Sequence, residues 1–152
     1  MPVLVTQASA CVPLPSSFRA AEVELDKALH GPLWLKDPRV AACVVQAIRR
    51  GDREWNFYLL HAYVVMSNHV HILIEPRVPI PRITQRLKGS SARTANQILS
   101  REGQRFWNEE SFDHWVRNAQ EFNRISAYIE QNPVTAGLVK KPEDWPWSSA
   151  SK

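Results

Sequence analysis

Two strand-like runs joined by a very short turn constrain this fold more than any other feature of the sequence. Residues 57–60 and 62–65 read Phe-Tyr-Leu-Leu and Ala-Tyr-Val-Val, and the run 69–75 follows directly after Ser67-Asn68. Apolar and β-branched runs bounded by turn residues are typical of strands, and a tight turn between two of them predicts an antiparallel hairpin. Pro76 is expected to end the second strand, because proline donates no backbone hydrogen bond to a sheet.

The segment before this hairpin predicts one strand and two helices. Val3–Thr6 has the composition of a short strand. A first helix is predicted over residues 16–31, with a serine cap at its start and His30-Gly31 at its end. Asp37 before Pro38 indicates the start of a second helix, which Gly51 is expected to end.

The segment after the hairpin predicts two further helices around a short strand. Residues 82–101 read as a basic amphipathic helix with an interruption at 89–91, where Gly-Ser-Ser occurs. A short strand is expected around 114–116, and a last helix over 119–132 is expected to end before Pro133. The tail that follows is rich in proline and tryptophan and is expected to wrap around the domain.

The order of these elements is β-α-α-β-β-α-β-α. If the first two helices form one crossover, the order becomes βαββαβ with an added C-terminal helix. This predicts an α+β protein with a ferredoxin-like split βαβ fold, in which an antiparallel sheet carries helices on one face. A length of 152 residues fits one domain, spanning 1–152.

The composition excludes several classes of protein. The two cysteines, Cys11 and Cys43, cannot build a disulfide scaffold or a four-cysteine zinc site, so we expect reduced thiols. No apolar stretch approaches the roughly 20 residues that span a membrane, and no basic segment precedes the uncharged N-terminus as in a signal peptide. A cytoplasmic protein is therefore expected. The net charge of +4 favours polyanionic partners only mildly.

The sequence His69-Val70-His71 places two imidazoles on one face of the predicted strand, because side chains at i and i+2 point the same way. Two such imidazoles can share one metal ion. The alternative is a structural pair, which is common for histidines on strands.

Tyr128 and Asn132 lie four residues apart on the last predicted helix, and therefore on one helical face. If this helix packs over the sheet, the amide oxygen of Asn132 can complete a metal site and Tyr128 can act as a nucleophile beside it. The alternatives are a packed aromatic residue and a polar residue at a helix end.

Three separated stretches resemble the REP-associated tyrosine transposases, which are relatives of the single-tyrosine insertion-sequence transposases. They are the segments 66–73 (MSNHVHIL), 106–117 (with FW and FDHWVR) and 128–139 (YIEQNPVTAGLV), and the ending 142–150 is also similar. The resemblance covers about residues 35–150. One departure is Ser67, which stands where the family usually has proline.

The resemblance implies a metal-dependent nuclease of the histidine-hydrophobe-histidine type, with the tyrosine on the C-terminal helix. His69 and His71 match the metal-binding pair, Asn132 matches the third ligand, and Tyr128 matches the nucleophile. The implied cofactor is a divalent ion, Mg²⁺ or Mn²⁺. The implied substrate is single-stranded or hairpin DNA, which is cut and rejoined through a 5′-phosphotyrosine by a monomer or homodimer associated with the nucleoid.

Basic and aromatic side chains supply candidate DNA contacts. Cations on the predicted basic helix and just after it can neutralise phosphates. Core packing is expected for most of the six tryptophans, but they include candidates for base stacking, of which Trp107 and Trp115 are the first to test. The candidate cations are Arg82, Arg86, Lys88, Arg93, Arg101 and Arg105.

Other functions remain as alternatives. A histidine-triad nucleotide hydrolase also has alternating histidines on a strand, but it needs a third where this chain has Leu73. A replication-initiator nuclease would share the chemistry, usually within a larger chain. A domesticated protein could bind hairpin DNA without cutting it. No general base for Tyr128 is evident, and His114 qualifies only by its residue type, with a structural role as the alternative.

Overall fold

The computed structural model describes residues 2–9, 32–109 and 111–151. Over these residues the chain forms four strands, namely β1 (Leu4–Ser9), β2 (Tyr58–Val65), β3 (His69–Pro76) and β4 (Ser111–Trp115). It also forms three α-helices, namely α1 (Pro38–Arg53), α2 (Ile80–Ile98) and α3 (Ala119–Thr135). The helix predicted over 16–31 lies outside the described residues, as does Cys11.

The strands form one antiparallel sheet in the order β2-β3-β1-β4. The predicted hairpin is the β2–β3 pair, and β1 lies between β3 and β4 although it comes first in the chain. This is the split βαβ arrangement of a ferredoxin-like fold, so the predicted α+β class is confirmed. A register shift between Leu60 and Ala62 marks a β-bulge at His61.

Helices α1 and α2 cover one face of the sheet. Val70, Ile72 and Ile74 of β3 point to this face and join the larger apolar core with residues of both helices. The start of α1 is as predicted, since Asp37 Oδ1 accepts a hydrogen bond from the Arg39 N–H at 2.9 Å. Cys43 on this helix is a free thiol, and its burial raises its pKa to about 11.

The expectation that Gly51 ends α1 is wrong, because the helix continues to Arg53. Gly51 is needed there for close packing, not for termination. A Cβ atom at this position would lie 2.1 Å from the Tyr58 hydroxyl oxygen, which donates a 2.6 Å hydrogen bond to the Ile48 carbonyl. Burial raises the pKa of Tyr58, consistent with a neutral buried phenol.

Helix α2 contains no interruption at residues 89–91, contrary to expectation. Gly89 is exposed and Ser91 is buried within a continuous helix. The Ser91 hydroxyl donates to the Leu87 carbonyl at 2.6 Å, so this polar group is satisfied inside the helix and does not break it.

Helix α3 packs on the opposite face of the sheet. Ile125 and Ile129 join a second apolar core with Val5 of β1 and Leu73 of β3. The alternation along β3 therefore divides its side chains between the two faces, with odd-numbered residues facing α3.

The expected end of α3 at Asn132-Pro133 is also wrong, because the helix continues through Pro133. Proline in the last turn costs one backbone donor, while its carbonyl still accepts the Leu138 N–H at 2.9 Å. The helix ends instead at Thr135, and Gly137 follows the C-cap Ala136 with a φ of +75°, which suits the left-handed residue of a Schellman cap.

The tail covers the exposed edge of β2, as the predicted wrap requires. The Val65 N–H donates to the Trp147 carbonyl at 2.8 Å, and the Ser149 N–H donates to the Tyr63 carbonyl at 2.9 Å. Trp145 Nε1 adds a 3.0 Å hydrogen bond to the Val65 carbonyl. Covering an edge in this way protects it from pairing with other chains.

Across the described part of the chain, none of the helices is both long enough and apolar enough to cross a membrane.

Candidate active site and nucleic-acid interface

The two histidines of β3 lie together on the face of the sheet that α3 covers. Their exposed fractions are 1% for His69 and 0% for His71, and their ring centroids are 4.8 Å apart. Leu73, two residues further along β3, belongs to the core beneath α3 and confirms the orientation. The predicted same-face placement of the two imidazoles is thus observed.

Asn68 holds the first of these rings, a role that the sequence analysis missed. Its side chain is 1% exposed in the turn between β2 and β3, and its Oδ1 lies 2.7 Å from His69 Nδ1. An amide oxygen is an acceptor, so the proton belongs on Nδ1 and the Nε2 lone pair is directed elsewhere. The signal was available in the sequence, since a turn asparagine directly precedes the first histidine.

Helix α3 brings Tyr128 to the histidines. The helix begins at Asn118, whose Oδ1 accepts the Glu121 N–H at 2.8 Å. The Tyr128 ring centroid lies 5.6 Å from that of His71, with the rings at 74°. Asn132, one turn further along, is buried with 3% exposure. The predicted packing of this helix over the sheet, on which the Tyr128 hypothesis depends, is therefore observed.

The donors present are suited to a divalent metal. Among the described residues, no group of three His, Cys, Asp or Glu side chains is placed to hold a metal ion. The two imidazoles would therefore need a donor of another kind, and the buried amide of Asn132 is of the type the prediction names. Imidazole ligands suit Mn²⁺ better than Mg²⁺, which prefers oxygen.

His114 does not lie beside Tyr128 in the manner of a general base. It is on β4 and its Nε2 contacts Glu121 Oε1, seven residues before Tyr128 on α3. Two helical turns correspond to about 10 Å along the axis. The structural alternative for this histidine is therefore the better description.

Three of the six predicted DNA-binding cations line an open groove between α1 and α2, on the side of the molecule away from the histidines. They are Arg82, Arg86 and Arg93, and the groove also contains Arg50 and Trp55. The Arg50 and Arg86 guanidinium carbons lie 5.3 and 4.7 Å from the centroid of the Trp55 ring. We call this surface the arginine groove. It combines exposed cations with an aromatic ring.

The other three predicted cations lie outside the groove and contact other parts of the protein. Lys88 is half-buried, and its Nζ donates to the carbonyls of Asn108 and Glu109 at 2.8 and 3.3 Å. Desolvation lowers the pKa of Lys88. Arg101 stacks on Trp34 at 3.8 Å, and Arg105 pairs with Glu109 at 2.9 Å. The amphipathic pattern of residues 82–101 also predicts that Lys88 and Arg101 face solvent. This is wrong, because the loop after α2 folds over Lys88 and Arg101 stacks on Trp34.

The two tryptophans chosen for testing differ in burial. Trp107 is 7% exposed and donates to the Ser91 hydroxyl at 2.9 Å, so it is a core residue and no stacking platform for a base. Trp115 is 49% exposed and remains accessible. Trp55, which the sequence analysis did not single out, lies between two arginines of the groove, Arg50 and Arg86.

Comparison with known proteins places these features in a family. The model of a family described as "Transposase IS200 like" matches residues 34–132. A REP-associated tyrosine transposase of Escherichia coli (strain K12) is 26% identical over 91 residues, which are 59% of this chain and 53% of that protein. The match thus spans about half the length of this curated relative.

A solved structure shares the fold. It is described as a REP-associated tyrosine transposase bound to a REP hairpin, and it matches with a TM-score of 0.63 at 18% sequence identity. The match covers 97% of this chain and 76% of that chain.

Proposed function

This chain belongs to the IS200-like transposase family, and from that membership we propose that it cleaves and rejoins single-stranded DNA through a covalent bond to Tyr128. The observation that carries the proposal is the convergence of His69, His71 and Tyr128 on one face of the sheet, with 5.6 Å between the His71 and Tyr128 ring centroids. These residues come from two separate elements. A purely structural role would not require a buried histidine pair next to a phenol.

The donor set fits a divalent metal, in keeping with a family that is generally metal-dependent. His69 and His71 would hold the ion, with Asn132 as the third protein ligand. Asn68 would orient His69 so that Nε2 is the coordinating atom, as second-shell groups do in many metal sites. A bound Mg²⁺ or Mn²⁺ would act as a Lewis acid on a phosphate oxygen of the DNA.

Tyr128 would supply the nucleophile. Its phenol oxygen loses its proton and attacks the phosphorus atom. A bond forms between this oxygen and phosphorus, the bond from phosphorus to the 3′-oxygen breaks, and the 3′-oxygen takes up a proton and leaves as a hydroxyl. Because the 5′-phosphotyrosine retains a reactive phosphodiester, another 3′-hydroxyl can displace Tyr128 and reseal a strand. The products are rejoined strands, which distinguishes this reaction from hydrolysis.

The arginine groove would bind the DNA stem. Arg82, Arg86 and Arg93 offer cations to the phosphates, and Trp55 offers a ring for stacking. The groove and the histidines lie on opposite faces of the sheet, so one DNA molecule that reaches both must pass around an edge. Duplex DNA is stiff over about 150 base pairs and cannot turn so sharply without cost, whereas a single strand can. A hairpin with a single-stranded flank fits both surfaces.

Covalent capture tests this proposal. A labelled hairpin with single-stranded flanks, incubated with the protein and Mn²⁺, should give a slowly migrating protein–DNA adduct on a denaturing gel. Tyr128→Phe should remove the adduct and leave hairpin affinity unchanged, because only one oxygen is lost. Tyr63→Phe is the matched control, since the Tyr63 hydroxyl lies near Arg49 on the other face. An adduct that persists in Tyr128→Phe would assign the nucleophile to another residue.

One result would favour the second candidate function. Hairpin binding at nanomolar concentration with no adduct from the wild-type protein, in Mn²⁺ or Mg²⁺, would indicate a DNA-binding protein without cleavage activity. Either activity fits a monomer or homodimer that acts on DNA in the cytoplasm, in association with the nucleoid.

A further inference from the structure

A buried carboxylate joins the start of α3 to the sheet. Glu121 is 7% exposed, and its two oxygens have different partners. Oε1 accepts a hydrogen bond from His114 Nε2 on β4, and Oε2 accepts one from Arg117 Nε at 2.8 Å. These contacts lower the pKa of Glu121, so the carboxylate is charged at neutral pH.

Glu121 lies on the same stripe of α3 as the residues of the active site. The buried stripe continues through Ile125 and Ile129 to Asn132. Seven residues separate Glu121 from Tyr128, which is two turns and an offset of only about 20° around the helix. The charged contact and the phenol are thus fixed to the same side of one rigid element.

The charged contacts of Glu121 are not expected to contribute much to the free energy of unfolding. The Arg117 side chain is 76% exposed and that of His114 is 33% exposed, and charged contacts that are open to solvent contribute little to stability. An ion pair differs from an apolar contact in being directional, because each hydrogen bond requires one distance and one angle. A slide of α3 by one residue would move it about 1.5 Å and rotate it by about 100°. Such a slide would break the His114–Glu121 contact and withdraw Tyr128 from His71 together.

We propose that His114 and Arg117 are positioning residues, which hold Glu121 and thereby fix the register of α3 so that Tyr128 faces His69 and His71. Neither residue touches the DNA or the metal in this role. The proposal rests on the proposed function for its effect on catalysis, but the placement of Tyr128 can be measured without any reaction.

The test uses two substitutions of His114 whose side-chain amide groups lie at different distances from Glu121. His114→Gln places its amide nitrogen near the position of Nε2, and His114→Asn places it near that of Nδ1, too far from Glu121. The protein is labelled with 3-fluorotyrosine, which gives one ¹⁹F resonance for each of its three tyrosines. We expect His114→Asn to move or broaden the Tyr128 resonance, while Tyr58 and Tyr63 keep theirs and His114→Gln keeps all three.

The second readout is the rate of adduct formation. A displacement of about 1 Å at a reacting group can cost about 100-fold in rate. We therefore expect His114→Asn to slow adduct formation 10- to 100-fold with hairpin affinity changed less than twofold, and His114→Gln to restore the rate. If wild-type protein forms no adduct but the resonance behaves as expected, the proposed function fails and the positioning role stands.

The opposite outcomes overturn the positioning role. An unmoved Tyr128 resonance in folded His114→Asn would do so, and so would equal shifts in the asparagine and glutamine variants. If His114→Asn does not fold, which would move all three resonances, Glu121→Gln takes its place because it keeps the shape of the side chain. This variant should move the Tyr128 resonance alone, and an unmoved resonance there also overturns the proposal.

Discussion

The two faces of the sheet differ in the solvent exposure of the polar side chains that are predicted to function. Beneath α3, His69, His71 and Asn132 are each at most 3% exposed and are surrounded by an apolar core. On the other face, the sheet side chains of the larger core are mostly apolar, Thr6 is buried but donates to Asp113, and the arginines lie on the outer surface of α1 and α2. A buried site depends on a few contacts that one substitution can remove. A surface that binds by charge is made of many small and similar contributions.

The largest expected effect is on the buried face. The double variant His69→Ala/His71→Ala should abolish Mn²⁺ binding in a calorimetric titration, because both imidazole donors are gone. Its affinity for the hairpin should remain within about twofold, since the arginine groove keeps its phosphate contacts. The matched control is His61→Ala, because His61 contacts Glu75 at 3.6 Å and has no part in the proposed site. Unchanged Mn²⁺ binding in the double variant would rule out this metal site.

Asn68 tests the buried site in a second way, because it orients His69 but is not itself a proposed metal ligand. Asn68→Ala removes the acceptor 2.7 Å from His69 Nδ1. Loss of such an outer-shell partner typically weakens metal affinity about 10- to 100-fold. Asn68→Asp keeps an acceptor oxygen and should restore Mn²⁺ affinity in the same titration. The control is Asn96→Ala, a buried asparagine of α2 whose Nδ2 donates to the Gln104 carbonyl. Equal Mn²⁺ affinity in Asn68→Ala and wild type would refute the orienting role.

The free energy of unfolding should depend on packing inside the larger core and much less on open positions at the surface of its helices. Gly51→Ala puts a methyl group 2.1 Å from the Tyr58 hydroxyl oxygen, and overpacking of this kind typically costs about 1–3 kcal/mol. Gly89→Ala is the matched control, because nothing lies within 4 Å of the added atom in α2. It should stabilise by up to about 1 kcal/mol, since alanine favours a helix more than glycine does. Urea unfolding measures both, and equal changes in the two variants would contradict the packing argument.

The sequence predicted the elements of the fold better than their ends. Strands β2 and β3 follow from apolar runs, and the cap at Asp37 follows from local chemistry, whereas β4, with the sequence SFDHW, begins three residues before the predicted 114–116. Gly51 and Pro133 were misjudged because each is normally a helix breaker, and tertiary packing decided otherwise. Gly51 makes room for Tyr58, a residue on another element, and α3 continues past Pro133 to Thr135 before the left-handed Gly137 closes its cap.

In the candidate site, too, local spacing predicted some features, and others depend on tertiary packing. The shared face of His69 and His71 follows from the period of a strand, so spacing alone was sufficient. The approach of Tyr128 depends on how α3 packs, which spacing does not fix. Lys88 and Arg86 look alike in sequence, two residues apart on one helix. Two residues correspond to about 200° around a helix, so the two side chains point to opposite sides. The loop that folds over Lys88 has no local sequence signal, and it is what takes Lys88 out of solvent.

The smallest effect is expected from single cations of the arginine groove, and it tests whether that groove is the DNA-binding surface. Arg86→Ala removes one guanidinium, 4.7 Å from the Trp55 ring centroid, and should weaken hairpin binding a few-fold at low salt. The dependence of log K on log salt concentration should become shallower by about one unit, because one fewer phosphate is neutralised. Arg105→Ala is the matched control, since this exposed arginine pairs with Glu109 at 2.9 Å and lies outside the groove. Fluorescence anisotropy across a salt series measures both variants. If Arg105→Ala changes the slope and Arg86→Ala does not, the stem binds along the loop after α2. The arginine groove is then not the DNA-binding surface.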